Sequence, residues 1–101
     1  MSYFPQKQSK YEVTAGEYQL KSGGGHFDKL IIHLKGKNRT DVWRVWDAIG
    51  PTDLTAGKII WASYVDDPKV QAGCIIDLDW TCHEGVFLQV PEGGVCSVSW
   101  I

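Results

Sequence analysis

The sequence predicts an all-β chain, a single-domain β-sandwich or jelly-roll-like barrel of about eight short antiparallel strands. Three observations predict it. Strand-length runs alternate residue types with a period of two. Gly, Pro, Asn and Asp interrupt those runs roughly every 8–12 residues. No segment keeps a 3.6-residue period over three turns, so no helix of consequence is expected.

Taken in order, residues 1–10 are polar except for Met1, Tyr3, Phe4 and Pro5, and Pro5 disfavours a regular ladder. They read as an N-terminal arm, with residues 11–101 as the sandwich domain. A first strand is expected near Lys10 to Thr14. Ala15-Gly16 signals a turn, and Glu17 to Lys21 reads as a short strand. Ser22-Gly23-Gly24-Gly25 is a flexible loop without the Lys-Ser/Thr of a phosphate loop. His26 to Lys35 is a strong strand, with Leu30, Ile32 and Leu34 expected to face the core. Gly36 to Arg39 reads as a hairpin turn.

The strand that follows, Asp41 to Asp47, is the pivot of the reading. Val42, Arg44 and Trp46 point one way, and Trp43, Val45 and Asp47 the other. Both faces carry a large apolar group, so this strand should be central and covered on each side. Ile49 to Gly57 is a loop with room for one helical turn at Thr52 to Thr55. Lys58 to Asp66 places Ile59, Trp61, Ser63 and Val65 opposite Ile60, Ala62 and Tyr64. Asp66-Asp67-Pro68 is a turn. In Gly73 to Trp80, residues Cys74, Ile76, Leu78 and Trp80 are expected inward. In the next strand Val86, Leu88 and Val90 face in, and Phe87 and Gln89 out. Pro91 to Gly94 is a tight turn, and Val95 to Ile101 is the last strand, with Cys96, Val98 and Trp100 on one face.

Composition bounds the function. At 101 residues, 44% of them hydrophobic, the chain is one globular domain rather than a disordered one. A net charge of -2 argues against a nucleic-acid partner, since such domains carry a basic excess. No apolar run reaches the ~18 residues of a membrane span. Met1 to Lys10 lacks the apolar centre of a signal peptide. Cys74, Cys82 and Cys96 lack the short paired spacing of a zinc site and read as small buried groups of a reducing compartment.

Candidate chemistry is sparse. Cys82-His83-Glu84 juxtaposes a thiol, an imidazole and a carboxylate, but neighbours on a strand point to opposite faces. His33 reads as a surface side chain. Asp77 and Asp79 share a strand face about 7 Å apart, without the further oxygen ligands that Ca²⁺ needs. No catalytic, cofactor or metal residue is therefore expected. Trp43, Trp61, Trp80 and Tyr64 are candidates for an aromatic platform for sugar rings, with core packing as the default.

Residues 26–101 carry a further pattern. It comprises Leu30-Ile31-Ile32, then Trp43-Arg44-Val45-Trp46-Asp47, then Gly57-Lys58-Ile59-Ile60, then Gly85 to Val90, and last Val95-Cys96-Ser97-Val98-Ser99-Trp100. In order and spacing this resembles small all-β virion proteins of tailed bacteriophages, found as capsid decoration or cement proteins and as head or tail fibre modules. Trp46 and Trp100 stand where Tyr is commoner in that group, and Glu84 where Asn is usual. The resemblance implies a structural virion protein, made in the host cytoplasm and assembled into the particle, acting by protein–protein adhesion and without enzyme activity. The expected partners are other virion proteins and further copies of the chain, with a trimer favoured. The expected contact residues are Tyr3, Phe4, Trp43, Trp61 and Tyr64. The alternative is a receptor- or carbohydrate-binding module, with a host surface glycan as partner. A concave groove with exposed aromatics would favour the module, and a flat patch the assembly protein.

Overall fold

The computed structural model describes residues 7–101. Eight strands follow one another: β1 (Gln8–Val13), β2 (Gly16–Ser22), β3 (Gly25–Lys35), β4 (Val42–Asp47), β5 (Ile59–Tyr64), β6 (Ile75–Cys82), β7 (Gly85–Val90) and β8 (Gly94–Trp100). The helical content of the described residues is one 3-10 turn, Ala56–Lys58. It falls just after the place the sequence suggested. No helix among the described residues is long and apolar enough to cross a membrane.

The strands form two antiparallel four-stranded sheets, ordered β1-β8-β3-β6 and β2-β7-β4-β5. The pairs β1·β8, β2·β7, β3·β6 and β4·β5 are those of one long hairpin folded at the β4–β5 connection. Wrapping that double ribbon on itself adds the pairs β3·β8 and β4·β7. This is the jelly-roll arrangement of a β-sandwich. Among the described residues, β4–β5 is the one connection that stays within a sheet. The turn at Gly36 to Arg39 is therefore a crossover between sheets and not the hairpin its composition suggested.

The two inner faces meet in one core. Phe27, Leu30, Ile32, Cys96 and Val98 come from the first sheet, and Trp43, Val45, Val86, Leu88 and Val90 from the second. Trp43 is fully buried, and its indole N–H donates to the Lys35 carbonyl at 2.8 Å. That corrects its expected role as a partner contact: its ring is committed to the core. On the outer face of the second sheet Trp46, Ala48 and Phe87 form a second cluster, covered by Leu54 of the β4–β5 loop. Both faces of β4 are thus covered, as its sequence requires. Phe87, read as outward, is outward in direction yet buried under that loop.

All four edge strands carry a bulge. Against its neighbour, β1 has one extra residue between Lys10 and Val13, and β2 one between Gln19 and Lys21. β6 has one between Asp77 and Trp80, and β5 one between Ile59 and Trp61. An extra residue interrupts the ladder and blunts the edge against pairing with another chain. Two expectations about burial need correcting, one because an extra residue resets the alternation of side chains and one because a sheet edge is open. Leu34, beyond an irregularity in the β3·β8 register, turns outward and is exposed. Trp80 pairs with the buried Phe27 and keeps the inward direction of its alternation, yet it is exposed because β6 is an edge strand. A third correction concerns the arm. Pairing with β8 begins at Gln8, so Gln8 to Lys10 belong to the sheet. Tyr3 and Phe4 lie outside the described residues.

Candidate functional site

The edge strands β5 and β6 belong to different sheets, and between them opens a groove of about 590 Å³. Its apolar wall is Trp80 from β6 with Ile59 and Ile60 from β5. Trp80 is 56% exposed, a large value for so apolar a side chain on a strand. The polar wall comes from the end of β4 (Asp47), the end of β6 (Thr81) and the β4–β5 and β6–β7 connections (Lys58, His83 and Glu84).

That polar wall is fixed by its own bonds. Asp47 ends β4, and its carboxylate accepts hydrogen bonds from the backbone N–H groups of His83, Glu84 and Gly85. Burial alone would raise the Asp47 carboxyl. The three N–H donors outweigh it and hold the group below the usual carboxylate value. Lys58 bridges the two loops, with Nζ 2.6 Å from Asp53 and 2.9 Å from Glu84. Its hydrogen bond to Asp53, then that to Glu84, raises the ammonium group's pKa above the ordinary lysine value. Gln19 locks the same end of the sandwich. Its amide donates to the carbonyls of Lys21 and Ala48 and accepts from Gly50 N–H.

The adjacency of Cys82, His83 and Glu84 does not become a reactive site. Cys82 is buried, and burial, with Asp47 nearby, pushes its thiol up to about 11. His83 and Glu84 lie exposed in the turn beyond it. Asp77 and Asp79 are separated by the β6 bulge, and Asp79 contacts His26 Nε2 at 2.6 Å. Asp67 accepts from Lys69 N–H, the turn-capping role its sequence suggested. Among the described residues no group of His, Cys, Asp or Glu is placed to hold a metal ion. His33 Nε2 lies 2.7 Å from Ser97 Oγ on the outer face of the first sheet.

The expected contact residues separate. Trp61 faces inward and is half-buried against the core, opposite Val45. Tyr64 is exposed at the end of β5, beside Arg39, Thr40, Asp66 and Asp67. Trp80 is the ring that reaches the groove. Alternation placed it inward, and its pairing with the buried Phe27 agrees, but no local pattern shows that the opening between β5 and β6 leaves the ring exposed.

An apolar strip crosses the outer face of the first sheet. Ile31 pairs laterally with Ile75 on one side and Ser97 on the other. Tyr11 of β1 borders the same surface beyond Ser97. Tyr11 and Ile75 are largely exposed, and Lys29, Asp77 and His33 flank the strip.

Compared with protein-family models, with curated proteins and with solved structures, the chain gives no match.

Proposed function

We propose that this chain is a structural virion protein of a tailed bacteriophage, a capsid decoration or cement protein or a head or tail appendage that acts by adhesion. The observation that carries the reading is the strip Tyr11, Ile31 and Ile75. Outward positions of a sandwich strand are normally polar. A row of apolar side chains on a rigid sheet, bordered by charges, has the layout of an interface core with its rim. The bulged edges favour contact through side chains on a face rather than by strand addition. The residue pattern of 26–101 and the jelly-roll topology accord with the same reading, and the topology also serves in viral capsids.

The partners on this reading are other virion proteins and copies of the chain itself, with a trimer favoured because a cyclic assembly repeats a small contact. The test is solution mass and attachment to purified particles, comparing the native chain with Ile31→Asp/Ile75→Asp. The native chain should be trimeric and particle-bound, and the double variant monomeric and detached with an unchanged circular dichroism spectrum. A second comparison begins the chain at Lys7, which removes Tyr3 and Phe4 while leaving β1 intact. Unaltered mass and attachment in both variants would refute the reading.

A second reading, a receptor- or carbohydrate-binding module at the particle surface, is favoured by one observation: the exposed Trp80 lies in a concave groove among polar side chains.

A further inference from the structure

From the groove between β5 and β6 we infer a binding site for an uncharged saccharide, one pyranose ring lying against Trp80 and its hydroxyls meeting Thr81, Glu84 and Lys58. The inference deepens the carbohydrate-module reading and is independent of the adhesive strip, which lies on the other side of β6's sheet.

The apolar wall sets the first requirement. Trp80 offers an exposed indole, and Ile59, also partly exposed, continues the surface. Gly57 adds no side chain to the lining beside this wall. A flat apolar surface of this kind suits a ring with one apolar face. A sugar carries C–H groups on one face of its ring and hydroxyls around its rim.

The polar wall sets the second. A hydroxyl both donates and accepts, so a site for vicinal hydroxyls needs both kinds of partner side by side. Glu84 accepts and Lys58 donates, both lining one groove, and the Thr81 hydroxyl, 3.3 Å from His26 Nδ1, keeps spare hydrogen-bonding capacity beside them. The Lys58 bridge to Asp53 and Glu84 holds the donor and acceptor in place before any ligand arrives. Such pre-ordering lowers the entropy lost on binding.

Charge sets the third. Asp53 and Glu84 both pair with the Lys58 ammonium, and Asp47 adds a further carboxylate to the groove lining. Phosphate, sialic acid or uronic acid would meet net repulsion. The carboxylates would also draw a cation onto the indole. Lys58, however, already occupies the space between Asp53 and Glu84, and the free hydrogen-bonding rim has no use in binding a quaternary ammonium.

The experiment follows the indole N–H signals of the ¹⁵N-labelled chain as glucosyl, galactosyl, mannosyl and N-acetylglucosaminyl disaccharides are added at millimolar concentration. Sialyllactose, choline and inorganic phosphate are added in parallel. The Trp80 signal is identified by its loss in Trp80→Ala, whose backbone spectrum should otherwise be unchanged because the ring lies outside the core. At least one uncharged disaccharide should shift that signal saturably, and Trp80→Ala should weaken its binding at least about tenfold. Glu84→Gln should weaken it too, while Tyr64→Ala should not. A silent Trp80 signal with every uncharged sugar overturns the inference, as does a stronger response to choline, phosphate or sialyllactose. Adhesion is read separately, by mass and particle attachment, so failure of either proposal is distinguishable from failure of the other.

Discussion

Glu12 and Asp79 stand at opposite edges of one sheet in the same unusual backbone state. Glu12 has φ 53 in the bulge of β1, and Asp79 has φ 46 in the bulge of β6. Among the described residues they are the non-glycine positions with positive φ. A left-handed residue with a Cβ costs about 1–2 kcal/mol. Both edges of this sheet thus hold strain where the ladder is interrupted.

Glu12 should therefore respond to glycine in the direction opposite to an ordinary strand position. Glu12→Gly should stabilise the fold by about 0.5–1 kcal/mol, the relief of strain exceeding the greater entropy of an unfolded glycine. Glu12→Val should destabilise by more than about 1 kcal/mol, since a β-branched residue is poorly accommodated there. Urea unfolding measures both. A Gly variant less stable than the native chain would show that the bulge is not strained.

Asp47 makes stability depend on acid. Its folded carboxyl lies below the ordinary value, so its contribution is fully present above the unfolded carboxylate pKa of about 3.9. It fades as pH falls through the folded value. Asp47→Ala should cost about 1–3 kcal/mol at pH 7 by leaving backbone donors of the 83–85 turn without their acceptor. The gap between native chain and variant should shrink below about pH 4. Denaturant midpoints at neutral pH and near pH 3 give the comparison, and a constant gap would contradict the bonding seen at the turn.

The cysteines should differ in reactivity. Burial, with Asp47 nearby, pushes Cys82 up to about 11, and burial pushes Cys96 up to about 12, so neither supplies thiolate near neutrality. Cys74 is half-exposed. A thiol-exchange reagent at pH 8 should label Cys74 alone in the folded chain and all three after unfolding. Cys82→Ser should cost about 1–2 kcal/mol. Rapid labelling of Cys82 in the folded state would refute its place in the core.

Two glycines should respond oppositely to alanine. At Gly85 a Cβ would sit 2.7 Å from the Lys21 carbonyl and 2.8 Å from that of Ala48, both backbone atoms. Gly85→Ala should destabilise by about 1–3 kcal/mol, as overpacking does. Gly57→Ala meets open space and should be neutral or gain up to about 1 kcal/mol. Thermal or urea unfolding of the pair decides it, and equal effects would refute the close approach at Gly85.

The all-β class, the number of strands and most of the core are legible in the order of the residues. Period-two patterning is a local property, and at Leu30, Ile32, Val45, Leu88 and Val98 burial follows it directly. The two covered faces of β4 were equally legible, because Trp43 and Trp46 lie on opposite sides of one strand. Tertiary structure alone decided the rest. Which strands pair is a matter of long-range closure, so a Gly-containing turn at 36–39 looked like a hairpin although it joins two sheets. One extra residue in a strand resets every side chain beyond it. That is why Leu34 is exposed, whereas Trp80 points inward as alternation gives and borders a groove because the sandwich is open between the edge strands β5 and β6. The groove itself has no sequence signature, since its walls come from β5, β6 and two loops that meet only when the long hairpin has wrapped upon itself.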